Sequence, residues 1–271
     1  MKTLIDIIKD NLRFRGQIVS LAKAAQHKQN KGSDLGILWT FVKPAMYIAV
    51  FYVAITLGFK GEKDIPGITC PYFVWLTIGI TTWFYIQSML AGGAGVFRKY
   101  KLYVTKVNYP IDIIPTILAT SNLLVHFVLI AGAMLLTVFV FHVPPTIYWL
   151  QIPIYTTFMY LFSIAWSMAS GLLAAISKDL LKLLQSVSQA FFWLSAILFD
   201  IHKIDNPIIL KLFMFNPITF IIEGYRNSIC RTVWIWQEPE KFLCYMCTFV
   251  FMVVAAVLLY KKLRKIIPDF L

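Results

Sequence analysis

Apolar residues occupy this chain in long blocks, at approximately 37–58, 72–95, 110–141, 151–176, 183–199 and 241–260, joined by short polar or basic connections. A helix of about 20 apolar residues crosses the hydrocarbon core of a bilayer, so each block predicts one span. The third block is long enough to overshoot, which predicts a tilted helix or one that extends past the lipid. A further apolar stretch, 204–235, is broken by Pro207 and Pro217 and punctuated by Asn206, Asn216, Glu223 and Arg226. Broken, polar backbone at membrane depth persists only where protein buries it or where it lines a wet cavity. Residues 204–230 therefore predict a re-entrant pair of half-helices, not a seventh span.

The first 35 residues follow a different pattern. Leu4, Ile5, Ile8, Leu12, Ile18 and Leu21 recur at near-helical spacing among Lys2, Lys9, Arg13, Arg15, Lys23, Lys28 and Lys31. That arrangement predicts an amphipathic helix in the headgroup region, its basic side toward anionic lipid. With no long apolar run or small-residue cleavage site, the segment does not read as a signal peptide. The expected organisation is a 1–35 interface helix followed by a six-span domain over 36–271, all-α and integral to the membrane.

Composition agrees. Of 271 residues 59% are hydrophobic and only 14% charged, with a mean hydropathy of +0.72. Soluble domains carry roughly a quarter charged residues, so a soluble enzyme and a nucleic-acid binder are excluded. The net charge of +12 also has a place in the topology. With the N-terminus inside, segments 1–35, 96–109, 177–182 and 261–271 hold 17 Lys/Arg against 5 Asp/Glu, whereas the opposite side balances at 7 and 7. Lys43 and Asp112 sit at span edges and cancel. The excess on one side is what the positive-inside rule expects. Six spans with both ends cytoplasmic follow, because an odd number would put the basic 261–265 segment outside.

Candidate chemistry is sparse. No G-x-x-x-x-G-K-[ST] loop occurs, so nucleotide hydrolysis by that route is not expected of this chain. His27, His126, His142 and His202 do not fall at metal-ligand spacing with cysteines or carboxylates, and no metal or catalytic residue is assigned. His126 lies inside the third span, where an ionisable residue is a functional candidate by default; the plainer expectation is a neutral imidazole bonded to a neighbouring helix. Cys244 and Cys247 lie in an apolar helix and read as packing residues. Cys70 and Cys230 fall on the same side, and spacing leaves their pairing open. Within the membrane region only Glu223 and Arg226 are placed to pair.

Polar and aromatic faces are more informative. Gln185, Ser188, Gln189, Phe192, Ser195 and Phe199 recur at three- and four-residue intervals in the fifth block, and the second carries Thr77, Thr81, Trp83, Phe84, Tyr85 and Gln87. Rings and amides suit a bulky hydroxylated cargo better than a small ion. Trp83, Phe84, Tyr85, Gln185, Gln189 and Phe192 are the candidate passage. Ser163, Ser167, Ser170 and Gly171 in the fourth block read as a helix-packing stripe. The basic loop Arg98–Lys106 reads as an anchored inner loop or a docking helix for a cytosolic partner.

Ordered motifs then become recognisable. Gly36-Ile37-Leu38-Trp39 with Pro44, Gly79-x-x-x-Trp83-Phe84, and Lys106-Val107-Asn108-Tyr109-Pro110 with Ile114-Pro115 lie in the first half. Lys178-Asp179-Leu180, Ser195-Ala196-Ile197, Asn216-Pro217-Ile218-Thr219 with Tyr225-Arg226, and the terminal Ile267-Pro268-Asp269-Phe270-Leu271 follow. Together, over about residues 30 to 271, they resemble bacterial polysaccharide ABC-exporter permeases of the O-antigen, capsule and wall teichoic acid type. Two positions depart from that pattern. Lys178 stands where arginine is usual and loses its bidentate fork; Ala196 stands where proline is usual and lacks the helix-breaking ring.

The resemblance implies a homodimeric permease of the bacterial cytoplasmic membrane that exports lipid-linked glycan along the dimer axis. Two copies of a separate nucleotide-binding subunit would hold the ATP and Mg, with no cofactor in this chain and no nucleic acid as partner. On that reading Arg98, Lys99, Lys101, Lys106, Lys178 and Asp179 couple to the ATPase, chiefly through the 97–108 loop. Arg13, Arg15, Arg98 and Lys99 would meet lipid-linked phosphate at the entrance. An ion-coupled transporter or a membrane enzyme acting on lipid-linked sugars are the competing readings.

Overall fold

A computed structural model describes residues 4–29, 34, 36–58, 67–107 and 109–270. Lys2, Lys31, Lys60, Lys63, Asn108 and Leu271 lie outside the described residues. Among them the regular elements are all helices, and the α-helices run in the order α1 (Leu4–Arg13), α2 (Arg15–Gln29), α3 (Trp39–Gly58), α4 (Tyr72–Ala94), α5 (Val96–Lys99), α6 (Lys101–Thr105) and α7 (Ile114–Phe139). It continues through α8 (Ile152–Ile176), α9 (Lys178–Trp193), α10 (Pro207–Phe215), α11 (Pro217–Arg226), α12 (Pro239–Leu263) and α13 (Ile267–Phe270).

Among the described residues, four stretches are long and apolar enough to cross a membrane: Tyr72–Ala94, Ile111–Phe139, Ile147–Ile176 and Pro239–Leu263. A fifth is a bent pair, Pro207–Phe215 with Pro217–Arg231, folded by 89° at its break. The break has a local cause. Pro217 cannot continue the preceding hydrogen-bond ladder, and Asn216 caps the new helix through its Oδ1, which accepts from the Ile218 N–H at 3.0 Å. The first and fifth sequence blocks take a different form. The shorter apolar run of α3 is Phe41–Ala54. The helix of the fifth block ends at Trp193 after 16 residues, about 24 Å, and the chain continues irregularly to Asp200.

The N-terminal segment is two helices, broken at Phe14, whose ring meets Tyr109 edge-on at 6.0 Å. Leu4, Ile5, Ile8 and Leu12 form an exposed apolar stripe on α1. Helix α2 lies along α7 instead. Its small residues permit a close approach: Ile18 and Ala22 are buried, and Gln26 Nε2 donates to the Ser121 carbonyl at 2.8 Å.

Helix α4 is the hub, buried on nearly every side and packed by α3, α7, α8, α9 and α11. Its contact with α8 depends on small residues. A Cβ on Gly171 would sit 3.0 Å from the Gly93 carbonyl and 3.0 Å from the Phe97 ring, and one on Gly93 would sit 3.0 Å from Ser167 Cβ. Ser163, Ser167 and Ser170 are buried in the same seam, which makes the stripe in the fourth block a packing surface. Helices α5 and α6 turn away from α4 at Gly95, with Val96, Phe97, Tyr100 and Val104 inserted into the bundle.

Gly171→Leu should therefore lower the melting temperature in detergent, since overpacking costs about 1–3 kcal/mol. Gly132→Leu should leave it unchanged, because a Cβ there meets nothing within 4 Å.

Candidate functional site

The motifs separated along the sequence converge at one end of the bundle. Arg226, on α11, is fully buried, with its guanidinium 3.3 Å from the centroid of the Trp75 ring on α4. It donates from Nη1 to Glu223 Oε1 at 2.8 Å and to the Ala196 carbonyl at 2.9 Å. Nη2 reaches the Ile197 carbonyl at 2.5 Å, and Nε the Trp75 carbonyl at 3.4 Å. Gly79 makes room for it: a Cβ there would overlap Arg226 Nη2. One cation thus ties α4, the irregular chain after α9, and α11 together. The pairing with Glu223 expected from sequence is present, but backbone carbonyls are its larger set of partners.

Ala196 occupies the left-handed region at φ 51. Proline, fixed near −65°, cannot adopt that conformation, so the departure at this position changes how the chain leaves α9. Asn216 holds the same turn from the other side, donating from Nδ2 to the Leu194 carbonyl at 2.7 Å and to Ser195 Oγ at 3.0 Å. Nearby, Cys70 and Cys230 form a disulfide with Cα atoms 5.1 Å apart, which settles the open pairing and pins the chain before α4 to the end of the bent pair. Arg231 pairs with Asp200 at 2.6 Å.

Asp200, His202 and Glu223 also meet here, with ligand-type atoms within 4.8 Å of one another. Sequence spacing hid this cluster because its members come from two separate segments. Arg231 and Arg226 already occupy the two carboxylates, and Lys241 Nζ lies 3.4 Å from His202 Nε2. Burial, then the charges of Lys241 and Arg231, lowers the His202 pKa. Three cations around the group oppose a divalent ion.

Between α3 and α7, over the face of α4, lies a cleft of about 690 Å³. Phe84, Tyr85 and Gln189 from the candidate passage line it, and Gln87 Nε2 donates to Gln189 Oε1 at 3.3 Å. Trp83 and Phe192 do not. Both are buried, packed on each other at 5.5 Å between ring centroids, with Phe51 stacked on Phe192 at 5.3 Å. Gln185 is exposed on α9, off the wall. Sequence reasoning missed Lys43 and Asn122 as lining residues and did not place His126 there, since the wall is drawn from separate elements and no local motif marks it. His126 is buried and bonds through Nε2 to Tyr225 Oη at 2.9 Å, the neighbouring-helix partner expected of it.

At the basic end, α5 and α6 present Lys99, Lys101, Leu102 and Lys106 to solvent while their other side is locked into the core. Arg98 is engaged. It donates to the Ala174 carbonyl at 3.1 Å and the Ala175 carbonyl at 2.8 Å, capping the last turn of α8. Burial, reinforced by Tyr103, pushes the Tyr100 phenol up to about 12, and desolvation lowers Lys99. Lys178 and Asp179 are exposed in the first turn of α9, beside Ser177, whose Oγ accepts from the Leu180 N–H at 3.3 Å. Arg13 and Arg15 are exposed at the α1–α2 break.

Arg226→Ala should cost about 3–5 kcal/mol, because it leaves Glu223 buried without its cation. Gly79→Ala should destabilise in the same direction, with both read as melting shifts in detergent. Replacing Cys70 and Cys230 by serine should also lower the melting temperature, and the wild-type chain should gain two free thiols on reduction.

The sequence profile of the ABC-2 type transporter family matches residues 16–230. The chain is 23% identical over 224 residues to the O-antigen export system permease protein RfbA of Myxococcus xanthus, covering 82% of this chain and 84% of that one. The RfbA of Klebsiella pneumoniae, another O-antigen export system permease protein, is 22% identical over 201 residues, 73% of each chain. With its apolar helices and the profile match over most of its length, this multi-pass membrane protein belongs to the ABC-2 type transporter family.

Proposed function

We propose that the chain is the permease subunit of an ATP-driven exporter that carries lipid-linked polysaccharide, O-antigen-like as the relatives' names suggest, across the bacterial cytoplasmic membrane. It works as a homodimer with two copies of a separate nucleotide-binding subunit that supplies the ATP and Mg chemistry. Its spans are α3, α4, α7, α8, α9 with the chain to Asp200, and α12, while α10 and α11 form a re-entrant pair at the outer face.

Two chemical arguments support the orientation. Disulfides persist in oxidising compartments, which favours the Cys70–Cys230 end as the outer one. The opposite end carries the lysine- and arginine-rich segments, as the inner side should. The exposed stripe of α1 then lies at the inner leaflet with Arg13 and Arg15 beside it, placed to meet anionic phosphate.

The observation that carries the proposal is the α5–α6 element. Phe97 and Val96 are fully buried against α8, and Arg98 holds the end of that helix, so a push on the element moves α4 and α8 with it. Its other side offers Lys99, Lys101, Lys106 and two exposed apolar residues, Leu102 at 60% and Val107 at 54%. Exposed apolar residues ringed by cations are a docking surface for another protein. Lys178 and Asp179, at the next turn on the same end, extend that surface. ATP-driven closure of the partner shifts the two permease copies as rigid bodies and opens the path between them, lined by Phe84, Tyr85, Gln189 and the exposed face of α9.

The test is export in proteoliposomes holding the chain and its ATPase. Leu102→Glu with Val107→Glu should abolish ATP-dependent glycan export and weaken ATPase binding, without changing the permease's melting temperature. Export that survives alanine replacement across 98–106 sinks the coupling role.

A further inference from the structure

The disulfide end of the bundle carries an apolar surface that the export mechanism does not use. Two short turns build it, Ile147–Gln151 ahead of α8 and Ile235–Gln237 ahead of α12. In a 3₁₀ turn residues three apart eclipse, so Ile147 and Leu150 share one face, where they are 64% and 70% exposed. Tyr148, from the same turn, opens a row of three rings. It lies 4.7 Å from Trp234 between centroids, and Trp234 stacks on Trp236 at 4.5 Å with 11° between their planes. Trp236, at the end of the row, is 64% exposed.

Hydrogen bonds hold the row in place. Gln151 is buried between the two turns; its Nε2 donates to the Val233 carbonyl at 3.0 Å, and its Oε1 accepts from the Ile235 N–H at 2.7 Å. Gln237 closes the second turn, its Oε1 accepting from the Trp234 N–H at 2.7 Å and its own N–H donating to the Trp234 carbonyl at 2.9 Å. The ring-bearing segment thus satisfies these backbone groups within the protein, as chain that meets lipid must. The side chains it shows outward are uncharged. Acyl chains cover Ile147 and Leu150, whereas a sugar lying on the rings would leave both in water. Rings with an apolar body and one N–H or O–H settle where hydrocarbon gives way to headgroups.

Helix α12 sets the depth. It begins three residues after Trp236 and runs for 25 residues, about 37 Å. From Phe242 to Tyr260 it carries no charge, and Leu243, Val250, Phe251, Val254 and Leu258 are exposed along it. Lys261 and Lys262 stand in its last turn. A bilayer is about 30 Å thick in its hydrocarbon core and about 40–45 Å with headgroups. With the lysines in one headgroup region, Trp236 falls in the other. We propose that Tyr148, Trp234 and Trp236, with Ile147 and Leu150, form a membrane-interface anchor. The rings seat at the headgroup–acyl boundary, the two aliphatic side chains enter the acyl layer, and the ends of α8 and α12 are held at one depth. The partner is the lipid surface itself, engaged by depth and not by charge. That the leaflet is the outer one rests on the orientation argued above; the anchoring does not.

The test places the full chain in phosphatidylcholine nanodiscs whose acyl chains carry bromine either close to the headgroup or close to the methyl end, and reads tryptophan fluorescence. The difference between the wild type and a Trp234→Phe/Trp236→Phe variant isolates these two rings from the other tryptophans. That component should be quenched by the shallow bromines and spared by the deep ones, and phosphatidylglycerol added to the bilayer should leave it unchanged. Should the double variant fail to fold, Trp236→Phe alone, at an exposed position, gives the same readout. A component quenched by neither bromine puts the rings in water or against protein and overturns the proposal. Quenching that appears only with phosphatidylglycerol overturns it too, as does conversion of a dimer to monomers by Trp236→Ala, which assigns the surface to a second copy. The leaflet is read separately, from Glu240→Cys in a Cys244→Ser/Cys247→Ser background. An impermeant maleimide should label it from outside in intact spheroplasts. Shallow quenching without outside labelling defeats the orientation, and the export reading with it, and leaves the anchor standing; outside labelling without shallow quenching defeats the anchor alone.

Discussion

A fully buried guanidinium imposes the main constraint on this molecule. Removing a cation from water is tolerated only when charge and hydrogen-bond partners replace the solvent, and Arg226 finds them in Glu223 and in the carbonyls of Trp75, Ala196 and Ile197. Those carbonyls belong to chain segments that would otherwise run independently. Satisfying one side chain therefore fixes where α9 stops, how the chain turns at Ala196, and how α11 lies on α4. Gly79 is part of the same requirement, because any side chain there would occupy the space of the guanidinium.

That knot, the Cys70–Cys230 bridge and the Arg231–Asp200 pair are all at one end. The other end is built differently. Its helices α5 and α6 are short, set off from α4 at Gly95, and held by inserted apolar side chains and the Arg98 cap instead of by a covalent tie. Between the two ends, the small-residue seam of Gly93, Ser167 and Gly171 holds α4 and α8 in close contact.

Much of the fold was legible in the sequence where one segment carried its own signal. Long apolar runs such as 72–95 and 151–176 appear as α4 and α8, since span length is set by bilayer thickness and by helical rise. The bent pair was legible from Pro217 and its neighbouring asparagine, because proline breaks a helix wherever it falls. The break at Phe14 was not, as no Pro falls there; α2 lies along α7, whose position is tertiary information. Nor was the short helix of the fifth block foreseen, since its continuation past Trp193 is diverted by carbonyls committed to Arg226. Of the candidate passage residues, Phe84, Tyr85 and Gln189 line the cleft, whereas Trp83 and Phe192 on the same helices turn inward and pack on each other, which spacing along one helix does not reveal.

Sequence alone determined the solvent of this protein, its helical class, the imbalance of charge between its ends and the absence of a nucleotide-binding loop. These are properties of composition and local periodicity, and each follows from what a single segment does in lipid or water. Only the tertiary structure decided that Cys70 meets Cys230, that Asp200 and His202 approach Glu223, and that Lys43 and His126 share a wall. Such meetings depend on which faces of distant helices the packing brings together. No local energy term along the chain encodes them, because each is the joint outcome of many close-packed contacts.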